Sequence, residues 1–191
     1  MPRDYAALPR TQIRRSDREV ADESWIKELL QRAPVGILAT VSNHQPFLNS
    51  NLFVYDEANH AIYTHTARVG RTRANLEREE RVCFSVYEMG RLLPAETAFA
   101  FSVEYASVIV FGTATCLSDE QQTIAALHLL VHKYAPHLQL GQDYRGVVPE
   151  ELSRTSVYRI SIEEWSGKKK EAPADFPGAY TYGYPGPSSQ R

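Results

Sequence analysis

The amino-acid sequence predicts a mainly β fold of the α+β class, in which a six-stranded antiparallel barrel, closed or half open, is flanked by helices. Three observations lead to this prediction. Six short runs are rich in β-branched and aromatic residues, most of them follow one another through turn-like links, and about three segments show helical periodicity. A doubly wound parallel sheet would instead alternate each strand with a helix.

The six predicted strands are distributed over most of the chain and have the lengths usual for strands in globular proteins. They span residues 35–41, 46–55, 62–66, 81–87, 107–117 and 155–162. The first two are joined by a short turn-like link and are expected to form a hairpin. Gly112 lies in the middle of the fifth, where a β-bulge or the sharp bend of a barrel strand is expected.

Three helices are predicted beside these strands. The first, residues 22–32, is amphipathic and is stopped by Pro34. The second, residues 71–80, consists largely of good helix formers. The third begins at a capping box in residues 118–121 and continues to about Tyr134, before Pro136.

The remaining segments divide the chain into one domain with two extensions. Residues 1–20 are predicted to form an extended N-terminal arm, residues 21–170 the barrel domain, and residues 171–191 a loosely ordered tail rich in Pro, Gly and Tyr. Residues 89–105 are predicted to be a long connection within the domain. Long connections of this kind often serve as lids or dimer contacts.

Composition excludes several classes of protein. A net charge of −2 and interrupted basic runs argue against a nucleic-acid partner. No apolar run approaches the roughly 18 residues of a membrane span, and the first residues do not resemble a secretory signal. Cys83 and Cys116 lie in apolar runs without a metal-binding motif. We therefore expect reduced, buried thiols in a cytoplasmic protein, and no metal site.

Arginines and hydroxyls gather where the third strand gives way to the second helix. The corner contains two threonines, a glycine and three arginines: Thr64, Thr66, Gly70, Arg68, Arg71 and Arg73. Backbone N–H groups at a helix start and guanidinium forks both favour a phosphate group. The corner therefore predicts a phosphate site, and the alternative is a structural turn whose arginines are only solvated.

The order of several motifs is similar to that of the split-barrel flavin-binding superfamily typified by pyridoxamine 5′-phosphate oxidase. The resemblance extends over residues 14–170 and is nearest to the branch of nitroimidazole-resistance reductases and flavin-nucleotide-binding proteins. The motifs are Arg14-Arg-Ser-Asp-Arg18, His65-Thr66 with Gly70-Arg71 and Asn75-Leu76, Tyr105-x-Ser107-Val-x-Val110-x-Gly112-x-Ala114, and Glu164-Trp-Ser-Gly-Lys168.

This resemblance implies a homodimer with FMN in a groove at the subunit interface. It implies that Arg71, with Arg73 or Arg68, holds the FMN phosphate together with Thr64 or Thr66. It also implies that the backbone of the second strand follows the isoalloxazine edge at Asn49, Ser50, Asn51 and Leu52. Ser107 and Trp165 are expected to line the flavin.

The resemblance further implies a catalytic role for His65, as a proton donor or as an anchor for the substrate. The activity expected is that of a nitroreductase-like oxidoreductase acting on a small planar substrate, with NAD(P)H as a transient visitor because no dinucleotide-binding motif is present. Residues 46–55 contain no Arg or Lys, unlike the second strand of the oxidase itself. Oxidation of vitamin B6 is therefore not expected.

Other functions on the same fold are compatible with the sequence. A flavin-binding or sensing protein without turnover would bind FMN but would not cycle it. Relatives that bind a deazaflavin or a haem are further alternatives, each with its own absorbance spectrum. A purely structural dimerisation domain would carry no chromophore.

Overall fold

The computed structural model describes residues 4–183, which form one antiparallel sheet with helices packed against it. The strands are β1 (Glu19–Val20), β2 (Gly36–Ser42), β3 (Gln45–Asn51), β4 (Phe53–Asp56), β5 (Ala61–Ala67), β6 (Arg81–Leu93), β7 (Ser102–Cys116), β8 (Thr155–Lys170) and β9 (Tyr180–Thr181). The helices are α1 (Glu23–Arg32), α2 (Arg71–Leu76), α3 (Glu120–Tyr134) and α4 (Pro149–Leu152).

The strand order shows how the sheet closes. Its main path runs β3-β2-β6-β7-β8-β5-β4, and the short strands β1 and β9 pair with β8 and β6. β3 and β4 lie at opposite ends of this path, yet only Leu52 separates them along the chain. The two ends of the sheet must therefore meet in space, so the sheet curls into a barrel that is split between β3 and β4. The predicted antiparallel, mainly β architecture is confirmed.

The predicted number of six strands is wrong for two reasons. Residues 46–55 were predicted as one strand, but the chain changes partners at Leu52, because β3 pairs with β2 and β4 pairs with β5. The two-residue strands β1 and β9 are the other additions. They are too short to show an alternating pattern.

The predicted connection 89–105 is also wrong over most of its length. β6 continues to Leu93 and β7 begins at Ser102, so only residues 94–101 connect them. A register shift between Met89 and Leu92 accommodates this extension of the hairpin. β8 likewise extends beyond the predicted end at residue 162 and reaches Lys170.

The predicted helices are confirmed, with changes at their ends. Asp22 caps α1 by accepting a hydrogen bond from the Ser24 backbone N–H. Asp119 caps α3 by accepting from the Gln122 N–H, so this cap lies one residue after the Ser118 at which the predicted capping box begins. α2 ends at Leu76, four residues before its predicted end at residue 80. No helix among the described residues is long and apolar enough to cross a membrane.

Two apolar clusters hold these elements together. The larger fills the barrel and includes the buried face of α1 with Leu38, Phe53, Phe84 and Val110. The smaller joins α3 to the other face of β4, β5 and β8 through Ala126, Leu130, Tyr63 and Val157. β5 therefore lies between two packed layers, and the neighbours of each of its side chains depend on the face it occupies.

The structure describes most of the predicted N-terminal arm and part of the predicted C-terminal tail. Arg10 of the arm donates hydrogen bonds to Glu163 and Glu164 of β8, and β1 pairs with Gly167 and Lys168. Residues 171–183 include β9, while residues 184–191 of the predicted tail lie outside the described residues. The division into arm, domain and tail stays a prediction.

Candidate functional site

The predicted phosphate corner consists of β5, a turn and α2. Gly70 precedes α2 with a φ of 141°, a conformation that favours glycine because L side chains rarely adopt it. α2 has only six residues, so it contains few aligned peptide dipoles and adds little to anion binding. Binding of an anion at this corner therefore depends on side chains.

One side of α2 faces β2 and β3 through buried polar residues. Thr72 accepts a hydrogen bond from Asn49 Nδ2 at 3.2 Å, and Asn75 Nδ2 donates to Thr40 Oγ1 at 2.9 Å. Arg71, next to Thr72, is exposed and forms no ion pair or side-chain hydrogen bond with any described residue. The structure thus brings Asn49 of β3 to the segment that carries Gly70 and Arg71.

Thr72, Thr40 and the packing role of Asn75 were not predicted from the sequence. The signal available was the spacing of Thr72 and Asn75, which are three residues apart and therefore share one helix face. Both side chains are nearly inaccessible, at 5% and 2% exposure. Buried polar side chains of this kind need partners, and the partners found are Asn49 and Thr40.

The other side of α2 faces β8 and the segment before it. Arg73 donates to Ser156 Oγ at 3.0 Å and to Glu77 at 2.7 Å, and Arg68 donates to the Ser153 carbonyl oxygen at 3.2 Å. The hydrogen bond to Glu77 raises the pKa of Arg73, so this guanidinium stays charged. The three predicted phosphate arginines are therefore not one cluster, because Arg68 and Arg73 lie on the side away from Asn49.

The candidate residues of β5 occupy both of its faces. Thr64 is fully buried and donates to the Leu52 carbonyl oxygen at 2.9 Å, while Thr66 donates to the Ala67 carbonyl at 3.0 Å. His65 is exposed and points to the opposite face, since side chains alternate along a strand. A ligand on one face of β5 thus contacts either His65 or the threonines.

A partly exposed apolar surface covers the outside of β2, β6 and β7. We call this surface the outer face and define it by Ile37, Tyr87 and Ile109, which are 38%, 52% and 38% exposed. Ser50 pairs with Ile37, and Ser107 pairs with Tyr87, so both predicted residues lie on this face. Asn51 points to the inner side, and its Nδ2 donates to the Asn49 carbonyl at 3.3 Å.

Two cations lie against a tyrosine next to the outer face. Arg18 Nη1 donates to the Tyr105 hydroxyl at 3.4 Å, and Lys168 Nζ lies 5.5 Å from the Tyr105 ring centroid. Burial acts to raise the pKa of Tyr105, but Arg18 and Lys168 outweigh it and lower that pKa. Tyr105 stacks on Tyr87, with ring centroids 6.3 Å apart. This region offers aromatic surface and positive charge together.

Trp165 does not lie with Ser107. It pairs with Val110, a core residue, so it points to the inner side of the sheet. Its ring packs edge-on against His60 at a centroid distance of 4.7 Å and against Tyr55 at 6.2 Å. In the single chain Trp165 therefore fills the margin of the core. Among the described residues, no group of three or more His, Cys, Asp and Glu side chains is arranged to hold a metal ion.

Comparison with known proteins identifies the fold and its family. The sequence model of the pyridoxamine 5′-phosphate oxidase family matches residues 22–169. This match confirms the resemblance stated above at the level of the superfamily. No curated protein matches the sequence significantly.

Many solved structures are similar to this one, including the following three. The flavocytochrome Anf3 from Azotobacter vinelandii is 25% identical, with a TM-score of 0.77, and the match covers 96% of this chain and 91% of that one. An FAD and haem binding protein from Mycobacterium smegmatis is 21% identical, with a TM-score of 0.71 and coverage of 81% and 74%. An FAD-binding protein from Mesorhizobium loti is 19% identical, with a TM-score of 0.58 and coverage of 81% and 97%.

Proposed function

This chain belongs to the pyridoxamine 5′-phosphate oxidase family, and on that premise we propose that it binds a flavin, FMN in particular, at the interface of a homodimer. The observation that carries the proposal is the family match, whose range includes every residue predicted from the sequence to contact the flavin. The positions of these residues in the structure guide the assignment of each to a part of the cofactor.

We assign the flavin phosphate to the β3 side of α2. Arg71 immediately precedes Thr72, is exposed and makes no contact that occupies its guanidinium among the described residues, so its fork of donors is free to bind phosphate oxygens. Asn49 and Thr72 lie beside it and are already ordered by their mutual hydrogen bond. Arg68 and Arg73 are engaged on the opposite side of α2 and are not needed for this site.

The isoalloxazine ring is assigned to the edge of β3. This strand ends the main path of the sheet, so the backbone groups on its free side are unpaired in the described sheet. The carbonyl oxygens of Asn49 and Leu52 already accept hydrogen bonds from Asn51 and Thr64. The other free backbone groups of residues 49–52 are therefore those offered to a flat polar ring edge. The apolar outer face next to Ser50 suits the ring itself, and Ser107 lies on the same face.

The proposed activity is that of a flavin-dependent oxidoreductase acting on a small planar substrate, with NAD(P)H as a transient donor. When bound, the flavin supplies hydride or electron transfer, and the protein supplies orientation and electrostatics. His65 is exposed near the end of β5 and is proposed to donate a proton or to anchor the substrate. The buried hydroxyl of Thr64 is assigned to positioning, because it holds the Leu52 carbonyl.

A comparison of FMN with riboflavin tests the phosphate assignment, because riboflavin lacks only the phosphate. We expect the wild-type protein to bind FMN at least about tenfold more tightly than riboflavin, and Arg71→Ala to remove most of that difference. Arg81→Ala, which changes an arginine that is 76% exposed and paired with Glu79, is the matched control and should leave the difference intact. Equal affinity of the wild type for FMN and riboflavin would refute the assignment.

A second candidate is a flavin-binding protein that also carries haem. It is favoured by the similarity to the Azotobacter flavocytochrome, which is 25% identical over 96% of this chain. Haem in the purified protein would add a Soret band to the flavin spectrum. Its absence after expression with added haem precursor would leave the flavin-only proposal.

A further inference from the structure

Two adjoining cavities lie on the β8 side of α2. The larger has a volume of about 490 Å³ and lies between α2, α4, the start of α3 and the ends of β5, β7 and β8. The smaller has a volume of about 260 Å³ and lies between α2, β7 and Tyr158 of β8. Arg73 and Cys116 line both. The first volume alone is within the range of small-molecule sites.

The larger cavity is lined by fixed cations and hydroxyl groups. Arg73 is held by Ser156 and Glu77, and Arg68 by the carbonyl of Ser153, so both guanidinium groups are ordered before any ligand arrives. Its four remaining hydroxyl groups belong to Ser118, Thr123, Ser153 and Thr155. Glu120 is the one carboxylate that lines the larger cavity, whereas Glu77 and Glu80 line the smaller one. An anionic group is therefore better accommodated in the larger cavity.

The smaller cavity contains a buried hydroxyl without a partner. Tyr158 is 1% exposed, and its Oη makes no hydrogen bond in the structure. A buried hydroxyl that lacks a partner costs free energy, so it is expected to have one in the functional state. Tyr158 lines the cavity, and Cys116 is its register partner on β7. A ligand in the smaller cavity therefore lies against both Tyr158 and Cys116.

These cavities are separate from the site assigned to the flavin phosphate. Thr72 faces β3 and bonds Asn49, while Arg73, the next residue, faces β8 and bonds Ser156. Consecutive positions on a helix point about 100° apart, so the two sides of α2 serve different spaces. Two anions can therefore be bound at once.

We propose that the paired cavities bind a small organic anion, with its carboxylate or phosphate group on Arg68 and Arg73 and a polar group bonded to Tyr158. This ligand is distinct from the flavin. The site is open to solvent through Cys116, which is exposed, so the burial predicted for this thiol is wrong. A ligand bound between the cavities would cover that thiol, and the thiol therefore reports on occupancy.

The test is protection of Cys116 from alkylation by iodoacetamide, measured by mass spectrometry of the peptide that contains it. Inorganic phosphate, or acetate, replaces chloride at constant ionic strength, with and without added FMN. Cys83 is the internal reference, because burial raises the pKa of its thiol and therefore keeps its alkylation slow. We expect saturable protection of Cys116 by phosphate, by acetate or by both, which identifies the anionic group preferred.

Variants connect protection to the named residues. We expect Arg73→Gln and Arg68→Gln each to weaken binding of the protecting anion about tenfold. Tyr158→Phe should weaken the binding of an anion that reaches its hydroxyl about threefold. Tyr158→Phe removes only an unpartnered oxygen, so it should fold normally. Arg32→Gln, an arginine paired with Glu88 away from the cavities, should leave protection unchanged.

Three results would overturn the proposal. The first is an alkylation rate that is the same in chloride, phosphate and acetate, and the second is equal protection in the wild type, Arg73→Gln and Arg68→Gln. The third is protection that FMN abolishes, because the two ligands would then share one site. Protection that persists in a protein that binds no flavin supports this site and refutes the proposed function instead.

Discussion

At the residue scale, α2 shows how neighbouring side chains acquire different roles. Arg71, Thr72 and Arg73 are consecutive, yet Arg71 is exposed, Thr72 is buried against β3 and Arg73 bonds β8. A cluster of arginines in the sequence reports positive charge, but the direction of each depends on the elements that pack against the helix. The single phosphate site predicted from sequence is thus divided into two spaces.

Lys133 of α3 is a lysine whose ionisation is strongly altered by burial. Its Nζ lies 3.6 Å from the Phe53 ring centroid and donates to the Leu30 carbonyl oxygen at 3.3 Å. Burial lowers the pKa of Lys133 to about 8. The ring and the carbonyl both favour the charged form, so the pH dependence of stability measures the balance between these contacts and burial.

We predict a rise in the free energy of unfolding between about pH 8 and pH 10.4 that is specific to Lys133. In this window the unfolded chain keeps the proton that folded Lys133 has lost, so folding becomes more favourable as the pH increases. Urea unfolding of the wild type and Lys133→Met at several pH values provides the measurement, with the difference between them as the readout.

Lys27→Met is the control for that measurement. The hydrogen bond to Glu57 raises the pKa of Lys27, so its contribution is constant below its unfolded pKa and is lost only above it. The difference between wild type and Lys27→Met should be flat from pH 8 to about pH 10.4. Parallel curves for the wild type and Lys133→Met would contradict the burial of a charged amine.

At the element scale, the pairing of β7 with β8 is irregular beside Gly112. The register shifts between Phe111 and Gly112 because β8 has one extra residue there, Glu163, so the bulge predicted at this position is present in the ladder but lies on the partner strand. A Cβ atom at Gly112 would lie 1.9 Å from the Ser161 carbonyl oxygen of the paired strand. Both backbones are fixed by the ladder there, so neither can move aside cheaply.

Gly112→Ala is therefore expected to lower the free energy of unfolding by about 3 kcal/mol or more. Chemical denaturation monitored by tryptophan fluorescence measures it. Gly146→Ala is the matched control, because a Cβ there meets no atom within 4 Å, and its effect should stay within about 0.5 kcal/mol. Equal effects of the two substitutions would show that the bulge tolerates a side chain.

The elements that the sequence predicts well are those with a local signal. The helices α1 and α3 have caps and an amphipathic face, and the β2–β3 hairpin has a turn between its apolar runs. The extensions of β6, β7 and β8 have no such signal. Lys168–Lys170 resemble a solvated run, yet they pair with Tyr105–Ser107, because a long neighbouring strand supplies the hydrogen bonds.

The sequence predicts which residue types form the candidate site, but not which face of the sheet each side chain occupies. Alternation alone places Thr64 and His65 on opposite sides of β5, but the sequence does not say which side carries a ligand. Trp165 points inward to His60 and Tyr55, which only the pairing with β7 determines. Tyr158 becomes notable only when its neighbours leave its hydroxyl without a partner.

At the scale of the whole molecule, the outer face is the surface suited to a second subunit. Ile37, Tyr87 and Ile109 remain partly exposed in the single chain, next to the strand to which the isoalloxazine ring is assigned. Contiguous apolar surface of this kind commonly marks an interaction site. A homodimer through this face would cover the flavin from the side that the single chain leaves open.

We predict that Ile109→Lys converts the proposed dimer to a monomer and weakens FMN binding, because it places a charge in the proposed apolar interface. Light scattering after size-exclusion chromatography gives the mass. Leu138→Lys changes a residue of similar exposure, 39%, in the segment after α3 and should leave the dimer intact. A wild-type monomer that binds FMN fully would contradict the interface.

Flavin binding is tested most directly by the absorbance spectrum of the purified protein, before and after addition of FMN and removal of unbound cofactor. We expect the bands of oxidised flavin, retained by the wild type and weakened in Arg71→Ala. A protein that stays colourless after incubation with FMN, while circular dichroism shows it folded, would contradict flavin binding.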